Sequence, residues 1–132
     1  MAYIGTTINQ SPTIAGTLGA DIAGDCSFLA VKCDANGAFV LATAGDAAIG
    51  VITPGHASDL KTGAEVTVQV KDIGLAKAGA AIAKGAAVAT NADGKFVTAV
   101  ATNFIVGFAM NAAEAANDVF MIQITKSGYK PA

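Results

Sequence analysis

The second half of this sequence repeats the first half at a nearly constant offset. The run 91–97 matches the run 34–40 at an offset of 57, and each run carries an Asn or Asp, a glycine three residues later and then Phe-Val. At the same offset, 105–108 matches 48–51. Asx-Gly turns also recur by chance in β proteins. The shared order of the matches nevertheless favours a fold built from two similar halves.

Short runs with the two-residue period of β-strands lie between these turns. In 65–70, valines alternate with polar residues, as expected for a half-buried strand. The run 118–124 matches 65–70, but at an offset of about 53 instead of 57. The other strands predicted in this way cover 27–32, 38–42 and 48–52, and 73–77 is expected to continue the strand at 65–70. The sequence therefore predicts a mainly β fold, either a small β-barrel or a sandwich, because closure removes the edges that an apolar sheet otherwise exposes.

Helix signals are weak by comparison. The alanine-rich run 78–89 contains two glycines, which each cost about 1 kcal/mol in a helix. The run 111–117 has room for a turn or two, with Asn111 as its cap and Glu114 completing a capping box.

Residues 1–25 differ in composition from the rest of the chain. Thr, Ser, Gly, Asn and one proline dominate, and no strand or helix period is sustained. We expect an extended N-terminal arm over 1–25 and a β-barrel-like domain over 26–132. The arm either wraps its own domain or reaches a neighbouring subunit. Its isolated isoleucines Ile4, Ile8 and Ile14 are the predicted partner-binding anchors.

The chain carries few charges for its length of 132 residues. Hydrophobic residues make up 53% and charged residues 14%, against roughly 25% charged in an average domain. This composition favours burial of part of the surface against protein partners, although alanine, which is exposed at little cost, is an alternative explanation. The formal net charge is −2, and the eight Lys and Arg residues do not cluster. A nucleic-acid partner is therefore not expected.

No motif for catalysis, cofactor binding or metal binding stands out. The pair Gly94-Lys95 precedes Phe96 and so does not end a phosphate loop. Cys26, Cys33 and His56 are too few and too scattered for a typical zinc site. We expect no enzyme activity and no cofactor. The sequence also shows no signal peptide and no membrane span, which predicts a soluble protein made in a cytoplasm.

Several runs in the same order resemble one known family. These runs are 42–52, 63–69, 78–85, 91–95 and 105–109. Together they resemble the capsid decoration, or cement, proteins of tailed bacteriophages, in the group often mislabelled as predicted recombinase. The resemblance covers about 26–125, and no single run is diagnostic.

The resemblance implies a β-barrel-like domain that forms a homo-oligomer, often a trimer, with a dimer also possible. It implies a structural role on the exterior of the virion, where such proteins bind the expanded shell of major capsid protein and stabilise it. No catalytic residues, nucleic acid or membrane are implied. The alternative is another phage structural or adhesion module, such as a head-fibre base or a tail accessory protein.

Overall fold

The computed structural model describes residues 11–132, and over this range it contains ten β-strands and no helix. In chain order the strands are β1 (Thr13–Thr17), β2 (Ala30–Cys33), β3 (Phe39–Leu41), β4 (Gly50–Ile52), β5 (Glu65–Gln69), β6 (Asp72–Lys77), β7 (Ala87–Thr90), β8 (Phe96–Thr98), β9 (Phe104–Ala109) and β10 (Val119–Tyr129). All ladders between these strands are antiparallel. The predicted mainly β fold is confirmed.

The two halves of the chain form two five-stranded sheets with the same topology. The first sheet has the order β1-β5-β4-β2-β3, and the second has the order β6-β10-β9-β7-β8. Each strand of the second sheet is thus the counterpart of the strand five places earlier in the chain. The sheets form a sandwich-like fold, and the predicted construction from two similar halves is confirmed.

Each sheet curls until its first and last strands approach one another. In the first sheet Leu18 forms a parallel bridge with Phe39, and the Gly19 N–H donates to the Phe39 carbonyl at 2.8 Å. In the second sheet Ala78 bridges Phe96 in the same way. These bridges occupy backbone groups of edge strands that would otherwise pair with other chains.

Two clusters of buried side chains form the core. The first sheet encloses one cluster, which includes Leu18, Ile22 and Phe39. The second cluster is larger and includes Phe96 and Phe120, whose ring centroids lie 6.5 Å apart in an edge-to-face arrangement. Burial of such a side chain contributes roughly 1.5–3 kcal/mol. The second cluster also takes in side chains of the first half, so apolar packing joins the two halves.

Part of the predicted arm belongs to the first sheet. Strand β1 pairs with β5 from Thr13↔Gln69 to Thr17↔Glu65, and Leu18 and Ile22 are buried. From residue 13 onward the segment therefore wraps its own domain, which was one of the two expected arrangements. The proposed domain boundary at residue 25 stays a prediction.

The weak helix signals were wrong. Ala87–Thr90 is strand β7, and 111–117 forms no helix. The Asn111 side chain does not cap a helix but accepts a hydrogen bond from the Met121 N–H at 2.8 Å. Asp118 accepts hydrogen bonds from the backbone N–H groups of Glu114 and Ala115, and so holds this segment as a tight turn before β10.

Candidate docking surface

The outer side of the second sheet presents large apolar side chains to solvent. Strand β10 alternates between the two sides of the sheet, with Phe120 and Ile122 buried and Val119 and Met121 exposed. The exposed residues on this side form a patch across β6, β9 and β10, which we call the apolar face. Its members are Ile73, Leu75, Phe108, Met110, Val119 and Met121.

Strand register makes the apolar face continuous. Leu75 on β6 lies opposite Met121 on β10, and the Met110 N–H donates to the Met121 carbonyl at 2.7 Å. In the neighbouring row, Ile73 and Phe108 flank Gln123 from opposite sides. Directly opposed residues have Cβ atoms about 4.5–5.5 Å apart. The six side chains therefore form one surface and are not isolated exposed residues.

The equivalent surface of the first half is mostly polar and carries smaller side chains. The pair Ala15↔Thr67 occupies the register position of Leu75↔Met121, and Thr17↔Glu65 occupies that of Lys77↔Val119. The two halves share one topology but differ in the chemistry of this surface. Core packing requires no such difference, because these residues point away from the enclosed core. The apolar face is therefore a candidate site for binding a protein partner.

The apolar face carries almost no charge. None of its six members is ionisable, and Gln123, which both donates and accepts hydrogen bonds, lies in its second row. Lys77 lies at one edge, opposite Val119, and is only half-exposed. Such a surface fits a partner surface that is likewise apolar and uncharged, since no ion has to be desolvated without compensation.

A groove of about 280 Å³ borders the apolar face where the two halves meet. Ile73 and Leu75 line its side on the second half, and Phe28, Val51 and Pro54 line its side on the first half. Gln69 fixes the β5–β6 connection beside it, because its Nε2 donates to the Ile73 carbonyl at 3.0 Å. The groove extends the apolar face onto the first half.

Phe28 lies in this groove with strained backbone geometry. Its φ of 68° is in the left-handed region, which bulky side chains rarely adopt. The equivalent residue of the second half is Gly85, with φ of 86°. In both halves this N–H donates to the last residue of the neighbouring strand, Phe28 to Ile52 and Gly85 to Ala109. The first half thus tolerates strain that places a ring against the second half.

Of the three residues predicted as partner anchors, the structure describes only Ile14. Ile14 lies on β1, is only partly exposed and packs against the core of the first half. Ile4 and Ile8 lie outside the described residues. The sequence reasoning did not identify the apolar face. The alternation of large apolar residues at 119 and 121, where the first half has Glu65 and Thr67, was the available signal.

The described residues show no arrangement typical of an active site. Between residues 11 and 132 no group of three His, Cys, Asp or Glu side chains is placed to hold a metal ion. His56 Nε2 accepts a hydrogen bond from the Thr67 N–H at 3.2 Å, which gives it a structural role. Burial raises the pKa of the Cys26 thiol, and Cys33 is an exposed free thiol.

One ion pair of the first half lies beside its contact with the second half, because the Thr43 carbonyl next to it accepts a hydrogen bond from Thr90 Oγ1. Lys32 Nζ lies 2.7 Å from Asp46 Oδ2, and Thr43 donates both its N–H and its hydroxyl to the same carboxylate oxygen. The hydrogen bond from Lys32, with those from Thr43, lowers the pKa of Asp46 to about 2. As for membranes, the part of the chain that the structure describes contains no helix suited to crossing one.

Comparison with solved structures finds a protein of the same fold. The fold is similar to that of a phage virion component, the head fiber gp8.5 N base of bacteriophage phi29, with a TM-score of 0.62. The two chains are 17% identical, and the match covers 88% of this chain and 95% of that one. A search of curated protein sequences finds no match.

The family model of phage cement proteins matches residues 29–124, well over half of the chain. The chain therefore belongs to the phage cement protein family, as its sequence resemblance predicted. This is a family of phage structural proteins and not a class of enzymes. The matched region includes all six residues of the apolar face and ends before the last residues of β10.

Proposed function

We propose that this protein is a virion cement protein that binds the outer surface of the expanded major capsid protein shell and stabilises it. The family match supports the structural role. The observation that carries the proposal is the apolar face, an exposed surface that the equivalent strands of the first half lack. The proposed partner is an uncharged, apolar surface patch on the capsid shell.

Docking of the apolar face provides the binding energy in this proposal. Removal of apolar surface from water contributes roughly 25 cal/mol per Å² before the costs of association are subtracted. One copy alone therefore binds modestly. Many copies on a symmetric lattice, joined to each other as well as to the shell, gain avidity from multivalent attachment. The shell is braced because each bound copy holds neighbouring capsid subunits together.

The remaining parts of the proposal follow from this role. The protein acts without catalysis and without a cofactor, on the exterior of the virion. Copies associate with each other, and a trimer is the expected oligomer. Ile4 and Ile8 of the N-terminal arm add contacts to the shell or to a neighbouring copy. Ile14 contributes indirectly, because its packing in β1 fixes where the arm leaves the first sheet.

The test uses expanded shells of the major capsid protein made with and without this protein. We expect the purified full-length chain to co-sediment with expanded shells that lack it and to raise the temperature at which those shells rupture. A chain that does not co-sediment with expanded shells would contradict the proposal.

A second candidate function is that of a head-fibre base, which the shared fold with the phi29 head fiber base favours. A fibre base also attaches to the head, but it additionally carries a distal fibre. Labelled antibody against the protein distinguishes the two. A cement protein is spread over the shell, whereas a fibre base lies at the root of each fibre.

A further inference from the structure

The hairpin between β2 and β3 carries an asparagine followed by a glycine at its tip. The Asp34 N–H donates to the Ala38 carbonyl at 2.8 Å, and the Gly37 N–H donates to the Asp34 carbonyl at 3.0 Å. Asn36 and Gly37 are both exposed. Gly37 has a φ of 81°, and nothing lies within 4 Å of the place where its Cβ would be. Solvent therefore has open access to both residues.

The carboxamide of Asn36 is not held by the rest of the hairpin. The Asp34 carboxylate organises the turn, because it accepts hydrogen bonds from the N–H groups of Asn36 and Ala38, each at 2.9 Å. The Asn36 side chain itself makes no hydrogen bond within residues 11–132. Its Cγ atom is therefore free to rotate toward the backbone nitrogen of the next residue.

The other asparagines of the described range differ from Asn36 in one of two ways. Three have a side-chain oxygen that accepts one or more backbone N–H groups at 2.8–3.1 Å, namely Asn91, Asn103 and Asn111. Asn117 is exposed, and its carboxamide has no hydrogen bond to the described residues, but Asp118 follows it. Asn36 is the only asparagine of the sequence that is followed by glycine.

A following glycine favours one intramolecular reaction of asparagine. In this reaction the backbone nitrogen of the next residue attacks the carboxamide carbon. A Cβ atom on that next residue crowds the approach and restricts the backbone rotation that the approach requires. Gly37 has no Cβ, so it reaches the necessary conformations at little cost. Asparagine is correspondingly one of the thermolabile residues of proteins.

The equivalent turn of the second half does not offer this chemistry. Asp93 and Gly94 take the places of Asn36 and Gly37 at the offset of 57, so no carboxamide is present. Gly94 is buried, and its carbonyl accepts the Ala30 N–H at 2.8 Å, which holds this turn against the first half. The reactive pair of residues therefore belongs to the first half alone.

We infer that Asn36 is a site of spontaneous deamidation in the folded protein. The Gly37 nitrogen gives its proton to a base from solvent and forms a bond to Asn36 Cγ. The bond from Cγ to Nδ2 breaks, and the nitrogen takes a proton from water and leaves as ammonia. Water then opens the resulting succinimide at one of its two carbonyl carbons, which leaves aspartate or isoaspartate at position 36.

The reaction requires the hydrogen bond from the Gly37 N–H to the Asp34 carbonyl to open. Exposed turns open locally at a small fraction of the global free energy of unfolding, so this requirement is met without unfolding the sheet. Either product adds one negative charge to the formal net charge of −2. Isoaspartate also lengthens the main chain of the turn, because the backbone then runs through Cβ and Cγ. The inference does not depend on shell binding.

The test incubates the full-length protein in mildly alkaline buffer and follows every asparagine by peptide mass spectrometry. We expect position 36 to exchange ammonia for water at least about tenfold faster than Asn117, which corresponds to a barrier lower by about 1.4 kcal/mol. The released ammonia should match this conversion. An isoaspartyl methyltransferase should label the peptide that contains position 36.

Asn117 is the matched control within the chain, because its carboxamide is likewise exposed and only the next residue differs in kind. Asn36→Ser should remove both the fast phase of ammonia release and the methyltransferase label. Equal rates at positions 36 and 117 would overturn the inference. A position 36 that converts in urea but stays intact in the folded protein would also overturn it, because the turn would then protect the carboxamide.

Discussion

Met121 and Thr67 occupy the same position in the two halves of the fold. Met121 lies opposite Leu75 at the centre of the apolar face, and Thr67 lies opposite Ala15 on the corresponding surface of the first sheet. Their neighbours along the strand, Phe120 and Val66, are buried in equivalent places. The same substitution can therefore be made at both positions. At Met121 it tests the role of the apolar face in binding, and at Thr67 it controls for effects on folding.

Met121→Glu should abolish most shell binding. A carboxylate at the centre of an apolar contact must be desolvated without a partner, which costs several kcal/mol. We expect a loss of affinity of about tenfold or more, equivalent to at least about 1.4 kcal/mol, in co-sedimentation with expanded shells. Thr67→Glu is the control and should bind as the unmodified protein does. Equal binding by both variants would show that the apolar face is not the docking surface.

Replacement of Phe28 by glycine should destabilise the folded state less than replacement by alanine. Both changes remove the ring from the groove, but only glycine adopts a φ of 68° without strain. We expect Phe28→Gly to be more stable than Phe28→Ala by about 1 kcal/mol in urea unfolding. Gly85→Ala, at the equivalent position with φ of 86°, should lose a similar amount. Equal stability of the two Phe28 variants would argue against backbone strain at this residue.

The Lys32–Asp46 pair should make stability depend on pH in the acid range. The pKa of Asp46 is lowered to about 2 in the folded state, from an unfolded value near 4. The ionised carboxylate therefore stabilises the folded state fully above about pH 4, and this stabilisation is lost as the pH falls toward 2. Because both side chains are partly exposed, we expect Asp46→Asn to lose only about 1 kcal/mol at pH 7. The difference from the unmodified protein should disappear near pH 2. A difference that persists at pH 2 would contradict this account.

Gly107→Ala should disrupt the pairing of β9 with β10. A Cβ atom at this position would meet the backbone carbonyl oxygen of Gln123, which cannot rotate away as a flexible side chain does. We expect a loss of about 2 kcal/mol or more in the free energy of unfolding. Gly50→Ala, which meets the Gln69 carbonyl in the first half, should behave alike. An unchanged unfolding midpoint for Gly107→Ala would show that the two strands adjust without cost.

The repeat was readable from the sequence because hairpin turns restrict residue choice strongly. Gly37 and Gly94 both have positive φ in their turns. The two halves therefore share residues at these turns, and the offset of 57 is visible there. Strand β1 was not recognised as the counterpart of β6, because the two strands occupy equivalent places in their sheets but differ in sequence. Their registers align Thr13–Thr17 with 73–77, at an offset of 60 instead of 57. The following residues gave a signal, since 19–23 and 79–83 share Gly-Ala-x-Ile-Ala.

The apolar face was not predicted because a single strand does not reveal what lies beside it. Val119 and Met121 alternate with Phe120 and Ile122, so all four are apolar and the period of two is hidden. Only the pairing of β10 with β6 and β9 brings Leu75 and Met110 alongside Met121. Low overall charge predicted that some surface is buried by partners, but the sheet order was needed to locate it.

Electron cryo-microscopy of expanded heads with and without this protein tests the central claim most directly. The account predicts added density on the outer surface of the shell, with the second half of each copy against the capsid subunits and the polar surface of the first half toward solvent. Density in which the apolar face points away from the shell, or heads that show no difference on their outer surface, would contradict it.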